Sequence, residues 1–315
     1  MASQKPVEFN IPTIDLSAYL QDPASAEADA IVEEIRTACA TSGFFQLVGH
    51  NVSKSLQAQA FEAARALFAL PDEEKRKLSG TPGRGYEILG TQFLEPGKKA
   101  DLKEGYFIGR EGDVPRPFLE PNIWPKSDLL PPWQFQIPLL KYHQALSALS
   151  FTVMRILASG MKNMDTSVFA DFCKNPIESV RLLHYPPHPD VEDDTLVGTG
   201  AHTDFGAITL LLQDGNSGLQ VLNQKTNEWI DVTPREDAYV VNIGDMLDVW
   251  TGGAYRSNIH RVINKSGAER YSIPFFLDGN PDCVIRCLDN SAENKTGKTF
   301  TVEEHMLSRY AQSYK

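Results

Sequence analysis

The run Ala201-His202-Thr203-Asp204-Phe205-Gly206 sets an imidazole and a carboxylate two residues apart. On a strand, positions i and i+2 project to the same face, so both side chains can reach one metal ion. A third ligand must then come from a neighbouring strand. Of the seven histidines, His260 is the natural candidate, because it opens the alternating run His260-Arg261-Val262-Ile263. Two imidazoles and one carboxylate on one side of an octahedral metal leave positions open for substrate and O₂, a donor set suited to non-haem Fe(II) chemistry. Taken alone, His-x-Asp is a weak signal. Ten residues past His260, however, stands Arg270-Tyr271-Ser272, again an i, i+2 pair on an apolar run. A guanidinium fork beside a hydroxyl suits a carboxylate, through charge-assisted and often bidentate hydrogen bonds. The plainer reading is a strand-end arginine in solvent, and the order of the pair after the third ligand weighs against it.

Elements that must position these residues follow from periodicity. Ile11 to Leu20 reads as strand or extended chain entering a loop, and Ser25 to Ala40 has helical spacing with acidic residues early. Gly43 to Val48 is a β-prone run, and Leu56 to Leu70 is helical until Pro71 ends it. Thr81 to Pro132 holds eight prolines, which predicts a loop-rich segment with short strands such as Glu104 to Ile108, the place for a lid or substrate-facing surface. Ile137 to Met161 is a long amphipathic helix, with Leu139, Leu140, His143, Leu146, Leu149, Val153 and Leu157 on one stripe. After Pro176 the period changes to two. Short strands are predicted at Val180 to Tyr185, Thr199 to His202, Ala207 to Gln213, Leu219 to Leu222, Trp229 to Val232, Tyr239 to Ile243, His260 to Val262, Tyr271 to Phe276 and Cys283 to Arg286. Many short strands at that spacing argue for a sandwich, barrel or jelly roll.

Composition narrows the partners. A chain of 315 residues, 42% apolar and 10% aromatic, is long enough to bury a large core. Thirty basic against forty-one acidic residues give a formal charge of −11, a field that repels phosphate backbones and anionic lipid, so no nucleic acid and no membrane partner is expected. Met1 to Glu8 has no apolar stretch behind a basic cluster, and no run approaches the roughly 20 apolar residues a bilayer requires. Four scattered cysteines suit a reducing compartment, and cytoplasmic residence is the expectation.

The chain resembles the isopenicillin N synthase-like branch of the 2-oxoglutarate/Fe(II) oxygenases. The likeness runs from IPTIDL (Ile11 to Leu16) and GFFQLVGHNV (Gly43 to Val52), through RLLHYPPHP (Arg181 to Pro189), HTDFGAITLLLQD (His202 to Asp214) and GLQV (Gly218 to Val221), to NIGDML (Asn242 to Leu247), SNIHRV (Ser257 to Val262) and RYSIPFF (Arg270 to Phe276). It implies a mixed, mainly β fold, with a double-stranded β-helix or jelly-roll core and flanking α-helices. Residues 1–125 would form the N-terminal α/β region and 126–315 the long helix plus oxygenase core, together one compact unit. By the same resemblance His202, Asp204 and His260 match the iron ligands, and Arg270 and Ser272 match the grip on the far carboxylate of 2-oxoglutarate. Tyr185 matches a tyrosine that assists there. Many plant members carry an asparagine two positions before that tyrosine; here the position is Leu183.

Alternation adds that if Tyr185 points into the cavity, Arg181 and Leu183 do too. A buried guanidinium is costly unpaired, so Arg181 should meet a carboxylate of protein, cosubstrate or substrate. Phe276, six residues after Arg270, shares the face of Arg270 and Ser272, and related enzymes stack substrate there; core packing is the alternative. Tyr106, Phe107 and Trp124 fall in the loop-rich segment, as a substrate wall or as core. The implied reaction oxidises an unactivated C–H bond of a small-molecule metabolite with Fe(II), 2-oxoglutarate and O₂, releasing succinate and CO₂. Hydroxylation is the default, with desaturation, ring formation or ring expansion as variants. An Fe(II) oxidase of the same family that uses no oxo-acid, a binding protein that has lost catalysis and a hydrolytic zinc enzyme are the alternatives. Oligomeric state and substrate identity are not encoded in any motif found.

Overall fold

A computed structural model describes residues 9–161, 164–189, 195–264, 266–288 and 297–314; the expectation about a leader at 1–8 lies outside them. The N-terminal third runs β1 (Thr13–Asp15), α1 (Ser17–Gln21), α2 (Ala26–Thr41), β2 (Phe44–Val48), α3 (Lys54–Phe68), α4 (Asp72–Arg76), β3 (Gly85–Glu87) and β4 (Glu104–Gly109). The Ser25 hydroxyl accepts from Ala28 N and the Ser53 hydroxyl from Leu56 N, each satisfying an otherwise unpaired donor where a helix begins. The expected loop after the first strand instead contains the short helix α1. Then come α5 (Gln136–Gly160), α6 (Val168–Phe172), β5 (Ile177–Tyr185), β6 (Thr199–His202), β7 (Ile208–Gln213), β8 (Leu219–Asn223), β9 (Glu228–Asp231), β10 (Tyr239–Ile243), α7 (Asp245–Trp250), β11 (His260–Val262) and β12 (Arg270–Gly279). A small pair, β13 (Val284–Ile285) with β14 (Phe300–Thr301), leads into α8 (Val302–Ser313).

From β5 to β12 the chain crosses back and forth between two sheets, with β8 and β9 forming a hairpin in the small one, the jelly-roll pattern expected. The large sheet has the order β1-β2-β10-β7-β12-β5-β4-β3 and the small one β6-β11-β8-β9. Only β1 with β2 is a parallel pair in the large sheet; its other pairings are antiparallel. The N-terminal strands thus extend both edges of the core sheet.

Each face of the large sheet has its own task. Ile273, Phe275 and Leu277 of β12, Val180 and Leu182 of β5 and Leu210 and Leu212 of β7 join one apolar core with the helices. The residues between them in sequence, Ser272, Pro274 and Phe276, Arg181 and Leu183, and Leu211, line a cavity between the sheets. Helices α2 and α3 pack on α5, which lies against β5, β7 and β12. The buried stripe of α5 uses Tyr142 where Leu140 was expected: Leu140 is largely exposed, and Leu139, Tyr142, Leu146, Leu149, Val153 and Leu157 are buried. That set keeps the i, i+3, i+4 spacing better than one including Leu140.

Fully buried Phe275 contacts the His143 ring of α5, centroids 5.7 Å apart. Phe275→Ala should therefore cost about 3–5 kcal/mol, through lost burial and a cavity under the helix layer. Urea denaturation measures it; a loss under about 1 kcal/mol would mean that the helix–sheet interface collapses into the gap.

Candidate functional site

The cavity holds the predicted polar residues at known strand positions. His202 ends β6 and His260 opens β11, and the two pair directly across the small sheet. Asp204 lies two residues beyond β6, in the turn before β7, so it reaches the site from a turn rather than from the strand face assumed for it. The two ring centroids are 4.2 Å apart. Asp204 Oδ1 is 3.6 Å from His202 Nε2 and 3.7 Å from His260 Nε2, and one ligand atom from each of the three residues lies within 4.8 Å of the others.

The surroundings fix which atoms are presented. His202 Nδ1 is 2.8 Å from the Gly200 carbonyl and His260 Nδ1 is 3.2 Å from the Asn258 carbonyl. A carbonyl only accepts, so each Nδ1 carries the proton and each Nε2 presents its lone pair. Asp204 Oδ2 accepts hydrogen bonds from Thr209 Oγ1 and from Asn242 Nδ2 (2.7 Å), leaving Oδ1 toward the histidines. Burial alone would raise the Asp204 carboxyl, but His260, His202 and the Asn242 amide outweigh it and hold it well below the usual carboxylate range. Burial, aided by His202, pushes His260 down to about 4. At neutral pH the cluster is one carboxylate and a neutral His260, the ionisation a metal needs. Thr209 and Asn242 escaped the sequence reading; the alternation of β7 and β10 was the available signal.

Deeper in the cavity, Arg270 is fully buried and Ser272 nearly so. Arg270 stands opposite Tyr185 across β12 and β5, its guanidinium 4.9 Å from that ring's centre. Its Nε donates to the Asn216 carbonyl (3.2 Å) and its Nη2 to Gln213 Oε1 (2.9 Å), while buried Nη1 has no partner among the described residues. An unpaired guanidinium donor is expensive inside a protein, and here it belongs to a residue lining the cavity. Tyr185 receives a hydrogen bond from Thr199 Oγ1 at 3.3 Å. Leu183 faces the cavity beside Ser272, its cross-strand partner.

Arg181 also lines the cavity and meets protein carboxylate: its Nε and Nη2 reach Glu87 Oε2 at 2.8 and 2.5 Å, and Nη2 reaches Gln92 Oε1 at 3.0 Å. Its guanidinium lies 4.8 Å from the Phe107 ring centre. Phe107 and Phe276 both line the cavity. Tyr106 does not. Neighbours on a strand face opposite ways, so with Phe107 turned inward Tyr106 points into the helix layer, packing on Phe135 (5.5 Å) and donating to the Ile123 carbonyl. Trp124 packs on Phe135 as well. Three features were not foreseen: the buried pair Lys103–Asp101, Asp278 at the end of β12, and Met306, Tyr310 and Tyr314 of the C-terminal segment, which wall one side of the cavity.

Comparison with known proteins agrees with this geometry. Residues 176–279 match the model of the 2OG-Fe(II) oxygenase superfamily and residues 11–127 that of the non-haem dioxygenase in morphine synthesis N-terminal region. The chain is 45% identical over 317 residues to the 2-oxoglutarate-dependent dioxygenase citB of Monascus ruber, covering 97% of this chain and 96% of that one. It is 40% identical over 330 residues to the clavatol oxidase claD of Penicillium crustosum, covering 97% of each. Among solved structures, a full-length Neurospora crassa protein in complex with alpha-KG and thymine superposes with a TM-score of 0.85 at 30% identity, covering 99% of both chains. No helix among the described residues is long and apolar enough to cross a membrane. This chain belongs to the 2OG-Fe(II) oxygenase superfamily, as an oxidoreductase that uses iron and 2-oxoglutarate.

Proposed function

We propose that His202, Asp204 and His260 hold Fe(II) on one face, and that Arg270 and Ser272, assisted by Tyr185, grip the far carboxylate of 2-oxoglutarate. The convergence of two imidazole nitrogens and one carboxylate oxygen within 4.8 Å carries the first assignment. The unpartnered Nη1 of buried Arg270 carries the second, since it asks for an acceptor that the protein itself withholds. A charged, bidentate acceptor satisfies it best. When bound, the iron supplies O₂ activation coupled to decarboxylation of 2-oxoglutarate to succinate and CO₂. This chain's residues orient and exclude. The Gly200 and Asn258 carbonyls hold the imidazole tautomers, Thr209 and Asn242 hold Asp204 in one rotamer, and the apolar walls keep bulk water away.

The substrate is read as a small-molecule metabolite whose C–H bond is oxidised, by hydroxylation or by desaturation or ring chemistry. Phe107 and Phe276 are the proposed substrate-facing aromatics. Arg181 is read as part of the cavity wall that can still present a donor edge to substrate, a reading supported by its ion pair with Glu87. Residues 1–125 and 126–315 are read as one unit, supported by strands of the first continuing both edges of the main sheet. Four free cysteines fit cytoplasmic residence.

One outcome tests this reading and a second tests the electrostatics of the buried histidines. Arg270→Ala should raise the KM for 2-oxoglutarate about 30-fold or more, because a buried charge partner is lost. Steady-state succinate formation reports it, and an unchanged KM would sink the anchoring role. The other test concerns electrostatics without metal. His143 and His260 are both pushed down to about 4, chiefly by burial, whereas an unfolded histidine titrates near 6.5. Between those values the unfolded state binds the extra proton, so each histidine's share of stability is intact above about 6.5 and lost as pH falls toward 4. Asp278, pushed up to about 8 by burial, slopes the opposite way. The clean reading is therefore a difference. Relative to His143→Gln, the metal-free protein should lose on the order of 1 kcal/mol per pH unit between pH 6.5 and 4.5 in urea denaturation. Parallel curves for the two proteins would contradict it.

A further inference from the structure

Most charged groups that line the cavity have protein partners. Arg181 is matched by Glu87 and Lys103 by Asp101. Asp278 is different. It is 4% exposed and lines the cavity, yet it makes no hydrogen bond or ion pair with any described residue. It occupies the fifth cavity-facing position of β12, after Arg270, Ser272, Pro274 and Phe276. Its seat is built around it. A Cβ at Gly206 would stand 2.2 Å from Asp278 Oδ1 and 2.9 Å from the Leu277 carbonyl, so only glycine lets the turn after Asp204 close over this carboxyl. A carboxyl with no protein partner that faces a cavity is satisfied by what the cavity holds, which is how a site recognises a ligand's polar group.

We propose that Asp278 is a specificity-determining residue of the oxygenase reaction, its carboxyl receiving a hydrogen-bonding group of a neutral substrate that lies against Phe276. The inference rests on the reading of this cavity as the iron and 2-oxoglutarate site. Phe276 precedes Asp278 by two residues and, across the register shift at Leu277/Gly279, both line the cavity, so a planar molecule stacked on that ring has its edge near the carboxyl. Neutrality follows from the pairing. Among the described residues lining the cavity, the cations are Lys103, Arg181 and Arg270; the first two are compensated and the third serves the oxo-acid. An anionic substrate would enter without a free partner, beside an acidic residue. Burial, with the Asp204 charge second, pushes Asp278 up to about 8, which favours a neutral acid able both to donate and to accept. Either ionisation state accepts a hydrogen bond.

The test uses anaerobic protein loaded with Fe(II) and 2-oxoglutarate, titrated calorimetrically with 3-methylphenol, toluene and 3-methylbenzoate. The wild type should bind 3-methylphenol about tenfold more tightly than either of the others, the hydroxyl being the added feature in the first comparison and the charge in the second. In Asp278→Leu the preference over toluene should fall to about twofold or less, while Asp278→Asn, which keeps an acceptor and a donor, should retain most of it. Affinity for 2-oxoglutarate should be unchanged in both variants. Thermal melting separates a structural role: a carboxyl with no protein partner can be replaced by leucine with no fall in Tm, whereas a structural one cannot. A preference that survives in Asp278→Leu, a wild type that prefers toluene or the benzoate or binds none of the three, or a lowered Tm in both variants would each overturn the assignment. Failure of the wild type to bind 2-oxoglutarate at all would instead strike the parent reading.

Discussion

Phe275 and Phe276 are adjacent in sequence, and the first is sealed under α5 while the second lines the cavity. The functional centre depends on that period of two being held in phase across β12, β5 and β7. A slip of one residue would turn Arg270 and Ser272 into the helix layer and Ile273 and Phe275 into the cavity. The guanidinium makes such a slip expensive, since it would turn the charge toward a layer dominated by apolar Val180, Leu182, Leu210 and Leu212 and away from Gln213 and the Asn216 carbonyl. Register is held from both sides, with Ser272 opposite Leu183 on β5 and opposite Gln213 on β7. Gln213 then supplies the oxygen that holds Arg270 Nη2, so the sheet that sets the phase also aims the charge.

How the cavity tolerates so many polar groups is a question of pairing. Charges inside a protein persist when matched and hydrogen-bonded. Arg181 is held by Glu87 and Gln92, and Glu87 in turn accepts from the Tyr314 hydroxyl at the end of α8. Lys103, whose ammonium pKa burial lowers and Asp101 partly restores, is held by that carboxylate, which also accepts from the Gly200 amide. Gly200 is the residue whose carbonyl orients His202. The loop from Gln92 to Lys103 is therefore tied both to the metal-binding strand and to the C-terminal segment, through Gln92 and Phe93 facing Tyr314 and Ser313. One connected network couples the cavity wall to the His202, Asp204 and His260 cluster.

Much of this was legible from the sequence, and what was not has a common cause. In the large sheet, strand positions such as β5, β7 and β12 followed from alternation because both faces are committed, one to helices and one to the cavity. The pairs His202 with Asp204 and Arg270 with Ser272 could be singled out because their spacings are local, and His260 because it opens an alternating run. Partnership across long separations was not: Glu87 meets Arg181 over 94 residues, and Tyr314 meets Glu87 over 227. Period alone predicts no such contact. Whether Tyr106 belongs to the substrate wall or to the core was left open for a different reason. The pair Tyr106-Phe107 sits on one short strand, and nothing local says which of two adjacent aromatics faces inward until Phe107 is seen opposite Arg181. The same parity, carried two residues past Phe276, would have flagged Asp278.

Leu183 remains the departure from the family pattern, and its surroundings give it a physical sense. It belongs to a second apolar cluster between the sheets, with Tyr185, Leu219, Val221, Val240 and Val262. An asparagine there would have to satisfy an amide within a wall of valine and leucine, at the cost of an unpaired polar group. Leucine dries the region around Tyr185 and Arg270 instead. Coulombic attraction grows as the local dielectric falls, so each charge-assisted hydrogen bond that Arg270 makes counts for more there than it would beside water. Under the proposed assignment, the hydrogen bond that an asparagine would have contributed is offset by strengthening the one ionic anchor, which puts the grip on the oxo-acid more heavily on Arg270 than a wetter site would.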